Sequence, residues 1–91
     1  MNNHIDLLFT YFNKFADDCI NNNYLDTFNR KSISIDFSSK SRQGDISSNF
    51  YLVAIKKILD KKFNLKDKLL SGIHNLDFID KCEVSKNGFI N

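Results

Sequence analysis

Ninety-one residues suffice for one domain with a modest core and are too few for a multi-substrate enzyme with its own cofactor fold; 42% apolar residues, nine of them Phe, describe a folding chain. No apolar run approaches the roughly twenty residues that cross a bilayer, and the start Met1-Asn2-Asn3-His4-Ile5-Asp6 lacks the basic region of a secretory signal, so the expected location is cytoplasmic. Net charge is only +2 but uneven: four aspartates stand against Lys14 through Asn29, and twelve Lys/Arg against seven acids from Arg30 onward, a basic part that suits either an RNA-facing surface or a solvated lysine face.

From Ile5 to about Asn21 the apolar residues Ile5, Leu8, Phe9, Phe12, Ala16, Cys19 and Ile20 recur with the spacing of an amphipathic helix, and Leu7, Tyr11 and Phe15 widen the face. The run Asn21-Asn22-Asn23 ends it, because Asn competes for its own backbone and tolerates left-handed turns. Tyr24, Leu25 and Phe28 follow as a short apolar connector whose conformation the pattern does not set. Ser32 to Ser38 alternates cleanly, with Ile33, Ile35 and Phe37 on one face, and predicts a strand. Ser39 to Gly44 is a polar loop carrying Lys40 and Arg42.

Gly44-Asp45-Ile46-Ser47-Ser48-Asn49 opens a second helix in this reading, with Asp45 and Ser47 as candidate N-caps. A helix start bearing free amides and Ser hydroxyls also suits a phosphate, although capping is the plainer job. Tyr51, Ala54, Ile55, Ile58 and Leu59 form the buried face; Lys56, Lys57, Lys61 and Lys62 lie mainly outside it. Asn64-Leu65-Lys66-Asp67 has the form of a capping box ahead of Leu69, Leu70 and Ile73, with Gly72 late in that helix, His74 at its partly exposed end and Asn75 stopping it.

Phe78 to Val84 reads as a strand with Cys82 and Val84 inward and Lys81 and Glu83 outward, and Ser85-Lys86-Asn87-Gly88 as a hairpin turn leading to a last strand, Phe89-Ile90-Asn91. Residues 1–91 are thus expected to form a single α+β domain, a small antiparallel sheet of about three to four strands packed against about three helices. Cys19 and Cys82 are expected as buried thiols, and no metal site is expected, since two Cys and two His lack the paired spacings of zinc ligands. No nucleophile, paired-carboxylate or metal constellation of an independent enzyme stands out.

In Gly88-Phe89-Ile90-Asn91, alternation puts Phe89 and Asn91 on one face and Ile90 on the other. An aromatic ring beside a carboxamide is the minimal equipment for one unstacked nucleobase, the ring stacking and the amide reading an edge. Taken alone the tetrapeptide is more simply core and tail.

Gly44-Asp45, Ser48-Asn49 opening a helix, Phe78-Ile79-Asp80-Lys81 with Glu83-Val84, and Gly88-Phe89-Ile90-Asn91 resemble, in order and spacing, the N-terminal additional domain of arginyl-tRNA synthetases. The resemblance is firm from about Gly44 to Asn91; the leading helix and the Ile33–Ile35 strand agree in kind. It implies a tRNA-reading domain that packs against the D-loop of tRNA(Arg), with Phe89 stacking on an exposed adenosine and Asn91 hydrogen-bonding it. Lys86, Arg42, Lys40, Lys56 and Lys57 are the candidate contacts to the tRNA backbone. Where the family usually has Gly-Pro before Gly-Phe, this chain has Lys86-Asn87, which puts the turn geometry in question.

The ATP-binding signatures of the synthetases, of His-Ile-Gly-His and Lys-Met-Ser-Lys type, are absent from these residues, and the only Met is Met1. The expectation is therefore a monomeric, non-catalytic N-terminal piece of a longer ligase that works with the remaining synthetase domains, needs no cofactor itself and leaves ATP to the parent enzyme, with a free-standing relative as the lesser alternative. The competing expectation is a protein-interaction module whose aromatic-rich first helix docks a partner.

Overall fold

The computed structural model describes residues 3–38, 45–77, 79, 82–84 and 90. Helix α1 spans Asn3–Asn21, and its Leu8, Phe12, Ala16 and Cys19 are buried at three- and four-residue intervals, as the periodicity requires. Tyr11 and Phe15 widen that face as expected, but Leu7 is 51% exposed. Asn23 ends the helix in the left-handed conformation at φ 62°, while the Tyr24 N–H donates to the Cys19 carbonyl (2.8 Å) and the Asn23 N–H to that of Ile20 (3.0 Å). This is the paired-bond stop in which Asn substitutes for the usual Gly.

The strand expected over Ser32–Ser38 starts later. Arg30–Ser32 form a 3-10 turn capped by Asn29, whose side chain accepts from the Lys31 N–H (2.9 Å) and whose carbonyl accepts from the Ser32 hydroxyl (2.6 Å). Such local side-chain bonds compete with a sheet ladder and delay it. Strand β1 is Ile35–Ser38, pairing antiparallel with β2, Asp45–Ser48, in the register Ile35 with Ser48 and Phe37 with Ile46.

Strand β2 overturns the expectation that Asp45 and Ser47 cap the second helix. The row of N–H and C=O groups on β1 needs partners, and residues 45–48 supply them. Helix α2 consequently begins at Phe50 and is short, Phe50–Ile55. It stops before Ile58 and Leu59 because the backbone there pairs elsewhere: Asp26 N–H donates to the Lys57 carbonyl (2.8 Å) and Leu59 N–H to that of Tyr24 (2.9 Å), around a bridge between Leu25 and Ile58. Ile58 still packs on the core, whereas Leu59, expected to be buried, is 56% exposed.

Helix α3, Leu65–Ile73, follows its sequence signal closely. Asn64 Oδ1 accepts from the Asp67 N–H (3.0 Å) while Asn64 Nδ2 donates to Asp67 Oδ2 (2.8 Å), and Leu65, Leu69 and Ile73 are buried along one side. Gly72 is required by α1: a Cβ there would collide with the hydroxyl of Tyr11, which donates to the Leu69 carbonyl (3.0 Å). Burial, aided by the Cys19 and Cys82 thiols, pushes the Tyr11 phenol up to about 12, so it is a neutral donor. His74 is exposed at the helix end.

The core gathers around Phe50, which is fully buried. Its ring stacks on Phe12 (centroids 4.5 Å, interplanar 4°), with Phe15 edge-on at 6.1 Å and Phe28 tilted at 6.4 Å. Among the described residues the α+β architecture therefore consists of three helices and a two-stranded antiparallel sheet. The expected further strands appear there only as isolated bridges, Ser48 with Ile90 and Val84 with Ile90. Phe78, Asp80, Lys81 and the Ser85–Gly88 turn lie outside the described residues. Cys82 and Val84 pack on the core and Glu83 is exposed, in the alternation expected.

Candidate nucleic-acid interface

Ile90, in the middle of the tetrapeptide singled out in the sequence, is 5% exposed and joined to Ser48 by two backbone bonds, Ser48 N–H to Ile90 carbonyl (3.0 Å) and Ile90 N–H to Ser48 carbonyl (2.9 Å). Ile90 is thus docked on β2. Ser48 is itself buried, and its hydroxyl donates to the Ser34 carbonyl (2.7 Å) and accepts from the Phe50 N–H (3.1 Å), the first donor of α2. Beside it, Asn49 Oδ1 accepts from the Ser34 N–H (2.7 Å) and Nδ2 donates to the Ser32 carbonyl (2.9 Å). A small hydroxyl and a carboxamide, adjacent in sequence, join the end of the 3-10 turn, β2 and the start of α2.

Of the candidate site residues, Lys56 and Lys57 are exposed just after α2. Phe89, Asn91, Lys86, Arg42 and Lys40 lie outside the described residues. Lys61, Lys62, Lys66 and Lys68 are exposed as well, so residues 56–68 carry six lysines against Asp60 and Asp67, a balance of +4. Both aspartates are engaged locally, Asp60 with the Lys62 N–H and Asp67 with Asn64. Arg30, the first cation of the basic part, is committed to the fold: it pairs with Asp17 (2.7 Å), donates to Asn13 and lies 5.3 Å from the centroid of the Phe28 ring.

A shallow groove of about 320 Å³ lies between α1 and α3, lined in part by Phe15, Cys19, Tyr24, Phe63 and Lys68, with Tyr24 and Phe63 stacked at 4.2 Å. Cys19 and Cys82 are free thiols pushed up to about 11, chiefly by burial and further by Asp18 and Glu83 respectively. Neutral thiols of this kind are poor nucleophiles and poor metal ligands. Among the described residues no group of three or more His, Cys, Asp or Glu is placed to hold a metal ion, and no helix is long and apolar enough to cross a membrane.

The family described as arginyl tRNA synthetase N terminal domain matches residues 11–91. The chain belongs to this family. No curated protein and no solved structure matches it. The match to the arginyl-tRNA synthetase N-terminal domain begins within α1, so the later part of that helix and the strand, which agree only in kind at the level of motifs, fall inside the family's extent. Ser48-Asn49 is the pair whose part the sequence does not disclose. Its signal is two small polar residues directly before an apolar helical run, which reads as an ordinary cap; only the fold reveals that Asn49 reaches across to residues 32–34.

Proposed function

We propose that this chain is the single N-terminal tRNA-binding domain of a cytoplasmic arginine–tRNA ligase, reading an adenosine in the D-loop of tRNA(Arg). Phe89 stacks on the base and Asn91 hydrogen-bonds its edge, while Lys86, Arg42, Lys40, Lys56 and Lys57 meet the phosphate backbone. ATP and arginine belong to the remaining synthetase domains, and the domain acts as a monomer.

The observation that carries this reading, within the family membership, is Ile90. It is buried and backbone-paired in both directions, and side chains alternate along an extended segment, so its burial supports Phe89 and Asn91 as wet-side residues. One base–aromatic stack contributes about 1–3 kcal/mol and one bidentate amide contact about as much. Against the cost of association this corresponds to about millimolar affinity at best, so the contact serves discrimination within an enzyme that grips tRNA elsewhere.

The experiment is a titration of the ¹⁵N-labelled chain with the D-arm hairpin of tRNA(Arg), followed by NMR. The Ile90 amide is expected to shift, and the shift to vanish when the D-loop adenosines are replaced by uridine; equal shifts with both hairpins would refute base reading. A second expectation concerns the exposed lysines. Replacing Lys56, Lys57, Lys61 and Lys62 by Gln flattens the plot of log affinity against log salt, by about 0.7–0.9 for each phosphate contact removed. An unaltered slope returns them to ordinary solvated surface.

A further inference from the structure

We propose that Ser48 and Asn49 are positioning residues for the base-reading segment, an inference that rests on the function proposed above. Six hydrogen bonds, to four residues, converge on this pair. The Ser48 backbone holds Ile90 from both sides, the Ser48 hydroxyl holds the Ser34 carbonyl and the Phe50 N–H, and the Asn49 carboxamide holds the Ser34 N–H and the Ser32 carbonyl.

The chemistry of each group is used fully. Asn49 donates and accepts at once, to two backbone groups two residues apart, which Asp does not reproduce: a carboxylate keeps the bond from Ser34 N–H but sets an oxygen against the Ser32 carbonyl. Ser48 is 3% exposed, so its hydroxyl has no water to fall back on. The side chains fix where residues 32–34 and the start of α2 meet β2, and the Ser48 backbone, next to Asn49, carries Ile90. Loosening the side-chain bonds therefore moves the platform on which Ile90 rests. Neither side chain need touch tRNA for this; both act through the placement of Phe89 and Asn91.

The test is a double-mutant cycle on tRNA(Arg) charging by the full-length synthetase, with Asn49→Ala and Phe89→Ala singly and together. If Asn49 acts through the base-reading segment, Asn49→Ala lowers kcat/KM for tRNA by about tenfold, within what a single stack supplies, and has little further effect once Phe89 is alanine. Equal losses from Asn49→Ala in both backgrounds, or no loss in either, overturn the positioning role while leaving base reading intact. No loss from Phe89→Ala removes base reading itself and the positioning role with it. Asn49→Asp, nearly isosteric but with a charged acceptor in place of the donor, gives the same comparison should the alanine variant fail to fold, and thermal melting of each variant verifies that folded protein is being compared.

Discussion

Replacing Phe50 with alanine will lower the stability of the chain by about 3–5 kcal/mol, the range for truncating a fully buried aromatic residue. The ring is completely enclosed, lies face to face with Phe12 at 4.5 Å and has Phe15 and Phe28 at its sides, so its removal strips contacts from α1, from α2 and from the connector between α1 and β1 at once. Phe50 also begins α2, and its N–H is fixed by the Ser48 hydroxyl, which restricts how far the neighbouring backbone can relax into the void. Since domains of this kind are stable by only about 5–15 kcal/mol, the loss is a large part of the total. Urea denaturation followed by circular dichroism measures it. Leu59→Ala, at a residue 56% exposed, is the matched control and is expected within about 0.5 kcal/mol of the parent. Similar midpoints for the two variants would contradict the central place given to Phe50.

In the full-length synthetase, Phe89→Ala is expected to lower kcat/KM for tRNA(Arg) by about 5- to 150-fold, which is the 1–3 kcal/mol of one base stack expressed as a rate ratio. Asn91→Ala is expected to act in the same direction by losing a base-edge contact. Neither change should alter KM for ATP or arginine, because both residues are proposed to meet tRNA alone. A tyrosine at position 89 keeps a flat aromatic face and should retain most of the charging rate, which separates loss of stacking from loss of shape. Charging kinetics identical to the parent for both alanine variants would end the assignment.

The elements that follow from local pattern were legible in the sequence, and those decided by partners across the chain were not. Helix α1 and helix α3 each carry a long apolar period and a local stop or cap, Asn23 for one and Asn64 with Asp67 for the other, and both form as expected. Residues 45–48 contain Ser and Asp before an apolar run, which is the composition of a helix entry; they become a strand because β1 needs a partner, a demand no local window contains. The same holds at Lys57 and Leu59, where helical spacing continues but the backbone is taken by Asp26 and Tyr24. At the candidate site the burial of Ile90 follows from alternation, whereas the bonds of Asn49 to Ser32 and Ser34 join residues too far apart in sequence for spacing to show. The expectations for Phe89 and Asn91 lie outside the described residues, and kinetics will decide them.

The bridge between Leu25 and Ile58 bears on how the positive charge is carried. With Asp26 and Leu59 donating across it, and Tyr24 stacked on Phe63, the connector between α2 and α3 is stitched at both ends to the segment that follows α1. Lysines on an unattached loop dilute their field over every position the loop visits. Lys57 is held by the Asp26 N–H, Lys56 is its neighbour, and Lys61 and Lys62 follow within three residues of the Leu59 bond to Tyr24, so the four lysines stand on a connector with long-range partners. The result is a charge template with a fixed footprint, which under the proposed function is expected to orient tRNA on approach.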